Sequence, residues 1–240
     1  MKEFDFKDVE DLLKGALKLF TDNWIPLCVS CLLGYFVPFM VYYFFQFGLM
    51  GSAPMLAETN VNIDDLYGML IGLGVGWFLL ICVISLYSVG IINYSIKLCR
   101  GENPMPKDFF LPITTYLKLI AAGILLVIAY CIGFVLCFIP VFLVAFFTSL
   151  VMYIIIDRNE LGVIDSIKYS CTIIKENWKV AIVTFLILYV IQFVLGCTMV
   201  GMIPAYPFGV LVTALLYLKL HGASSSASEP QNEIPPTVQY

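Results

Sequence analysis

The chain has 240 residues, of which 61% are hydrophobic and 12% are charged, and its formal net charge is −4. Soluble globular domains have about 45–50% apolar and about 25% charged residues, so this composition excludes an ordinary soluble domain and indicates a membrane protein. The negative net charge, in a sequence without a long basic run, argues against nucleic acid as a partner.

The N-terminal segment is charged throughout, and reads MKEFDFKDVEDLLKGALKLFTDNW. A cleavable signal peptide needs an apolar core close behind a basic start, so we expect the first span to be an uncleaved anchor. Within this segment, apolar side chains recur at helical spacing at Val9, Leu12, Leu13, Ala16, Leu17 and Phe20. This pattern predicts that residues 1–23 form a cytoplasmic amphipathic helix that lies in the headgroup plane.

The hydrophobic runs that follow are long enough for six membrane spans, since one spanning helix needs roughly 20 apolar residues. Two uncharged stretches fit single spans. Two others have twice that length and contain turn residues such as Gly133 and Pro140. The sequence therefore predicts an all-α, polytopic membrane domain over 24–220, with spans at about 24–50, 67–96, 117–136, 139–157, 179–198 and 201–219.

The basic residues predict the orientation of these spans. All 13 Lys and Arg residues precede span one, follow span six, or lie between spans two and three or four and five. Cytoplasmic loops are enriched in Lys and Arg, so we expect a multi-pass protein of the cell membrane with both termini cytoplasmic. Asp157 is expected to end span four and begin a turn. His221 begins a polar tail, 221–240, that we expect to be disordered.

A second amphipathic helix is predicted at 161–176, and it resembles the first. The two segments align at an offset of 154 residues, which pairs Val9 with Val163, Asp11 with Asp165, Lys14 with Lys168, Asn23 with Asn177 and Trp24 with Trp178. A trace of the pattern, TTYLKL, occurs at 114–119. The alignment predicts three parallel repeats, each a cytoplasmic lead-in followed by a helical hairpin.

The repeated Asn-Trp pair marks where each amphipathic helix meets the next span. Asn leaves the helical region easily and can bond unpaired carbonyls at a helix end. Trp is amphipathic and settles at the level of the lipid headgroups. We therefore predict that Asn23, Trp24, Asn177 and Trp178 are structural joints, with headgroup contact as the alternative role.

Small and polar residues inside the spans predict contacts between helices. Gly68, Gly72 and Gly76 form a GxxxGxxxG pattern in span two, which favours close packing against another helix. Gln46 and Gln192 are expected to bond a neighbouring helix or backbone; contact with a polar substrate or lipid headgroup is the alternative. The aromatic stretch 35–47 is expected to face lipid, with a hydrophobic lipid pocket as the alternative.

The sequence offers few groups for chemistry. Eight cysteines are scattered through hydrophobic runs, which is unlike a secreted disulfide framework. Cys28 and Cys31 have redox or metal spacing, but packing is favoured because a second ligand pair does not follow. A Ser-His-Asp set, HExxH and a phosphate-binding glycine loop are not found. We predict no catalytic, cofactor-binding or metal-binding residues, and no cofactor.

The C-terminal half resembles several uncharacterised prokaryotic families of six-helix membrane proteins. The resemblance rests on IIIDRNELGVIDSIKYSCTIIKENW at 154–178 and on IKLCRGENPMPKDFF at 96–110. Relatives include the membrane domain fused to some glycerophosphodiester phosphodiesterases. The phosphodiesterase domain is not in this chain, so its activity is not implied. Ser166 and Glu176 depart from the pattern, which usually has Ala and Gly at these positions.

Two functional hypotheses follow. The first is a non-catalytic integral membrane protein that organises lipid or a membrane partner through its cytoplasmic surface helices. The second is a transporter or flippase-like path for a lipid or small amphiphile. The expected partners are membrane lipid and either a membrane protein or a second copy of the chain.

Overall fold

The computed structural model describes residues 6–44, 47, 63–135, 138–198 and 201–228. These residues contain no strand, and they form six helices that are long and apolar enough to cross a membrane. The predicted all-α, polytopic fold is therefore confirmed.

The helices follow the predicted order along the chain, with two short irregular turns between them. They are α1 (Phe6–Asp22), α2 (Trp24–Cys31), a π-helical turn (Leu32–Phe36), α3 (37–44), α4 (Ile63–Cys99), a 3-10 turn (Pro106–Phe109), α5 (Ile113–Val135), α6 (Phe138–Thr148), α7 (Val151–Asp157), α8 (Val163–Glu176), α9 (Trp178–Gly196) and α10 (Met202–Ser228).

The chain divides into two compact units, and the smaller one, Ile25–Ser88, is a helical hairpin. The backbone of Gly34, in the π-helical turn, lies directly against the ring of Tyr87. Further along, Tyr42 packs against Gly76 and against the Trp77 ring, with 5.0 Å between the ring centroids. The contacts run in opposite directions along the two segments, so the helices are antiparallel.

The larger unit, Met1–Trp24 with Val89–Tyr240, is built around α10. Helix α10 packs against α1, α8 and α9, and its Leu211, Val212, Ala214 and Leu216 are buried. Helix α1 runs antiparallel to α10, because Asp8 contacts Lys219 and Phe20 contacts Phe208. The buried face of α1 consists of Val9, Leu12 and Ala16, so protein rather than lipid covers these three of the six apolar side chains that the sequence assigns to the headgroup plane, while Leu17 is exposed.

Helix α8 also packs on protein, against α5, α6, α7 and α10. Helical spacing predicts an apolar stripe of Val163, Ile164, Ile167, Cys171 and Ile174 for this helix. The observed buried face contains Ser166, Ser170, Ile173 and Ile174, whereas Ile164 is 60% exposed. The face differs from the prediction because small serine side chains let α8 approach its neighbours closely. Ser170 completes the contact by donating from Oγ to the Phe147 carbonyl, at 2.8 Å.

The fourth predicted span is present as the apolar run Pro140–Asp157, and a two-residue turn divides it into α6 and α7. Helix α6 ends at Thr148, and α7 begins at Val151. Ser149 donates from both its backbone N–H and its hydroxyl to the Phe146 carbonyl. Together with the bond from Ser170 to Phe147, this satisfies carbonyls that the interruption removes from the helical ladder.

The expected disordered tail, 221–240, differs from the structure in its first part, because α10 continues to Ser228. The side chain of His221 is held by two other segments of the chain, which explains why the helix does not end before it. Residues 229–240 lie outside the described part of the chain.

Candidate functional site

A buried carboxylate lies at one end of the larger unit, at the last residue of α7. The Asp157 side chain is only 4% exposed. Its Oδ1 accepts a bond from Arg100 Nη2 at 2.6 Å, and its Oδ2 accepts one from the Tyr217 hydroxyl at 2.8 Å. A buried carboxylate is costly without such partners, so this geometry indicates a fully paired ion rather than a free acid.

Arg100 is positioned by the way α4 ends. Gly101 has φ of +76°, a conformation that glycine adopts without steric cost. The amide of Gly101 bonds the Leu98 carbonyl, and the amide of Glu102 bonds the Lys97 carbonyl, both at 3.1 Å. This is a Schellman helix end, and it turns the chain immediately after Arg100.

His221 is the centre of a second set of contacts, and both of its ring nitrogens are engaged. Arg158 Nη2 lies 2.8 Å from Nε2, and the Tyr169 hydroxyl lies 2.7 Å from Nδ1. A guanidinium only donates, so Nε2 accepts, and the neutral ring carries its proton on Nδ1, from which it donates to Tyr169. The Tyr217 ring stacks on the imidazole at 5.8 Å, which joins the two sets of contacts.

We call these residues the Asp157 cluster: Arg100, Asp157, Arg158, Tyr169, Tyr217 and His221. They come from the α4–α5 connection, the end of α7, the middle of α8 and two successive turns of α10. Burial raises the pKa of the Tyr169 phenol, which keeps it protonated, and the Arg158 guanidinium lies 5.2 Å above its ring. The cluster therefore ties three helices and a connection together through groups that bond one another.

Neighbouring contacts place more of the basic connections at this same end. The ammonium of Lys118 donates to the carbonyls of Asn159 and Leu161, and that of Lys219 donates to Asp8 Oδ1 at 2.9 Å. The segments that the basic residues assign to the cytoplasm thus meet at one end of the larger unit.

The 3-10 turn is held against the last turns of α4. Asp108 accepts from Lys97 Nζ at 2.7 Å and from the Met105 amide at 2.6 Å. Asn93 Nδ2 donates to the Asp108 carbonyl at 2.7 Å. These bonds fix the beginning of the connection from Arg100 to α5.

The two Asn-Trp pairs occupy equivalent positions. Asn23 Nδ2 donates to the Leu19 carbonyl, and Asn177 Nδ2 donates to the Ile173 carbonyl, both at 3.1 Å. Trp24 and Trp178 begin the next helices, and both side chains are exposed. Each asparagine therefore bonds the carbonyl four residues before it, at a one-residue interruption between two helices.

The predicted packing glycines and interior glutamines do not form one site. Gly76 contacts the Tyr42 ring at 3.3 Å from where a Cβ would lie, while the same position at Gly72 is open. Gln192 is exposed on α9, with its amide against the backbone of Gly209. The surroundings of Gly68, and all of Gln46, lie outside the described residues.

The thiols and acids are placed without a metal-binding arrangement in the described ranges. Cys28 and Cys31 are free thiols, and Cys31 is buried in the smaller unit. Among the described residues, no group of three or more His, Cys, Asp or Glu side chains could hold a metal ion.

Sequence reasoning missed the Asp157 cluster, since it treats Asp157 as a helix end and His221 as the start of a tail. One signal could have indicated it. Tyr217 and His221 are four residues apart, so they share a face if the sixth helix continues past residue 220. Their partners Asp157, Arg158 and Tyr169 are more than 50 residues away in sequence and carry no local mark.

The chain was compared with known proteins. No family model matches it, no curated protein matches it, and no solved structure matches it. The resemblance to membrane domains of glycerophosphodiester phosphodiesterases therefore stays a prediction.

Proposed function

We propose that this integral membrane protein is non-catalytic and that it organises lipid or a membrane partner through α1 and α8. The partner is a second protein or a second copy of this chain. One observation carries the proposal: both amphipathic helices are held against α10, and each turns a charged face outward.

The outward faces are well defined. On α1 the exposed charged side chains are Lys7, Glu10, Asp11, Lys14, Lys18 and Asp22, and on α8 they are Asp165, Lys168, Lys175 and Glu176. Lys14 bonds Glu10, which raises the pKa of Lys14 and lowers that of Glu10. A fixed surface with both signs of charge suits recognition of headgroups or of a partner's charged loop.

The proposal of a non-catalytic role is supported by the pairing within the Asp157 cluster. Asp157 uses both oxygens on Arg100 and Tyr217, and His221 uses both ring nitrogens on Arg158 and Tyr169. A general base or nucleophile needs an unshared pair directed at a substrate, whereas these groups direct theirs at each other. The cluster is suited to holding α8 and α10 in place.

The location that we propose is the cell membrane, with both termini in the cytoplasm. Its support is the distribution of the 13 basic residues together with the contacts that bring their segments to one end.

The test replaces the outward face of α1 without disturbing its buried face. A variant with Lys7, Lys14 and Lys18 changed to Gln should keep its thermal unfolding temperature and lose a co-purifying lipid class or protein, measured by quantitative mass spectrometry. The control changes exposed aliphatic residues of α9, Leu186→Val and Val190→Ala. An unchanged lipid and protein set in this α1 variant and in an α8 variant with Lys168 and Lys175 changed to Gln would refute the proposal.

The transporter or flippase-like path is the second candidate, and the interrupted fourth span favours it. Transport proteins often carry broken helices, and the π-helical turn between α2 and α3 is a second irregular segment. Reconstitution in liposomes with labelled lipids of several headgroups would test it. Movement no faster than in empty vesicles would exclude this candidate.

A further inference from the structure

We infer that Lys118 and Arg158, with the turn Arg158–Leu161, bind the phosphate of an anionic phospholipid in the cytoplasmic leaflet. The inference rests on the proposed function, because it names the lipid class that the surface would organise. Lys118 donates to the carbonyl of Asn159, directly after Arg158, and to that of Leu161 at 3.3 Å. Lys118, from α5, therefore contacts the same turn that Arg158 begins.

These two cations differ from the other paired basic residues in the described ranges. Lys14, Lys97, Arg100 and Lys219 each contact a carboxylate. Both Lys118 and Arg158 are half-buried, yet their described contacts are neutral: two carbonyls for Lys118, and the neutral ring of His221 with the Tyr169 face for Arg158. A partly desolvated charge with neutral partners favours an external anion.

The neighbouring acids are engaged elsewhere or exposed. Asp157 directs its two oxygens to Arg100 and Tyr217. Glu160 lies in the same turn but is exposed, and the described ion pairs do not join it to Lys118 or Arg158. The turn thus keeps positive charge for a ligand.

The surface next to Lys118 fits an acyl chain. Leu117, Ile120, Ile124 and Val127 are exposed on α5 at helical spacing, so they form one aliphatic stripe. The stripe spans about 15 Å of helix length. A headgroup phosphate beside the ammonium and guanidinium would leave its acyl chain along this stripe. Arginine and lysine both bind phosphate, the first through its fork of donors and the second as a point charge.

The experiment uses the full chain in nanodiscs of phosphatidylcholine with and without phosphatidylglycerol. Native mass spectrometry measures the retained lipid, and thermal unfolding measures stability. We expect preferential retention of phosphatidylglycerol, and each charge should contribute roughly a factor of five. Lys118→Gln and Arg158→Gln should each reduce the preference by about that factor, while Lys118→Arg and Arg158→Lys should keep it.

The matched control is Lys179→Gln, which removes an exposed cation that lies over the Trp178 ring. If it reduces the preference as much as Lys118→Gln, general surface charge explains binding and the site is refuted. Thermal unfolding in phosphatidylcholine alone shows whether the Gln variants fold. If the Gln variants do not fold, the charge-conserving variants Lys118→Arg and Arg158→Lys still test the site.

A further arm adds inorganic phosphate to phosphatidylcholine nanodiscs. A stabilisation equal to that by phosphatidylglycerol, lost in both Gln variants, would make the ligand a soluble phosphate compound and refute a lipid site. If the wild type retains lipids regardless of headgroup charge while the α1 variant still loses its partner, the proposed function stands and this site does not.

Discussion

Helices α1 and α8 have similar sequences, but different interactions hold them against α10. Helix α1 buries Val9, Leu12 and Ala16, and its ion pair to α10, Asp8 with Lys219, is exposed to solvent. Helix α8 buries Ser166 and Ser170, and it reaches α10 through hydrogen bonds of the Asp157 cluster. Apolar contact therefore forms the buried face of α1, whereas α8 adds buried polar contacts to the apolar contact of Ile173 and Ile174.

The two helices should therefore differ in how strictly their positions are fixed. Apolar contact is non-directional and depends on buried area, so we expect the register of α1 on α10 to be less strictly fixed. Buried polar bonds have fixed geometry and are costly to leave unpaired, so α8 should occupy a single position.

Among the substitutions considered, Asp157→Ala, which removes buried polar contacts, should destabilise the protein most. The change leaves the buried Tyr217 hydroxyl and the Arg100 guanidinium without their acceptor. We expect a loss of about 3 kcal/mol in the free energy of unfolding, at the lower end of the range for one-sided breaks of buried pairs, because Arg100 is 42% exposed. Reversible unfolding in mixed micelles measures it.

Asp157→Asn keeps one acceptor oxygen and should lose less. Glu10→Ala removes an exposed carboxylate and is the control, with little expected change in the free energy of unfolding. Equal losses for Asp157→Ala and the control would mean that the cluster does not stabilise the fold.

The second largest loss of stability is expected for Leu12→Ala, which removes an apolar contact of α1. Leu12 is buried in the face of α1 toward the bundle, and Leu17 on the same helix is exposed. We expect a loss of about 2–3 kcal/mol for Leu12→Ala, within the range for buried leucines, and little change for the chemically identical Leu17→Ala. Hydrogen exchange should rise in α1 peptides and not in α8 peptides; a rise in both would show that the two helices are not held independently.

The sequence predicted the six spans and their order, because long apolar runs and helical periodicity are local properties. It did not predict what covers the apolar face of α1, since lipid tails and protein side chains both present hydrocarbon to Val9 and Leu12. The interruption after Thr148 was also hidden, because Ser149 and Leu150 are tolerated inside helices and the bond from Ser170 comes from another helix.

The Asp157 cluster could be predicted only in part. Charge distribution predicts that Arg100 and Arg158 share one side of the membrane, and helix spacing predicts that Tyr217 and His221 share one face. The contacts among them depend on how α7, α8 and α10 pack, which is a long-range property that composition and periodicity do not encode.

Helices α1 and α8 share one feature, the Asn-Trp joint that follows each of them, and substitutions there test whether the two joints are equivalent. Asn23→Ala and Asn177→Ala each remove one side-chain bond to a helix-end carbonyl, so each should cost about 1 kcal/mol. Thr172→Ala, which removes an exposed bond within α8, is the control and should cost less. Thermal unfolding of the three variants would decide, and a loss at only one joint would argue that the two are not equivalent.

The smallest effect is expected for the ion pair between Asp8 and Lys219. Both side chains are substantially exposed, so the pair competes with water and is screened by salt. Asp8→Asn should cost less than about 1 kcal/mol, and the difference from wild type should vanish at high ionic strength. A double-mutant cycle with Lys219→Met isolates the pair from other effects of each change. A coupling energy above about 2 kcal/mol would mean that the ion pair, rather than the apolar face, holds α1 against α10. Polar contacts would then hold both α1 and α8, and the two helices would differ only in how strong those contacts are.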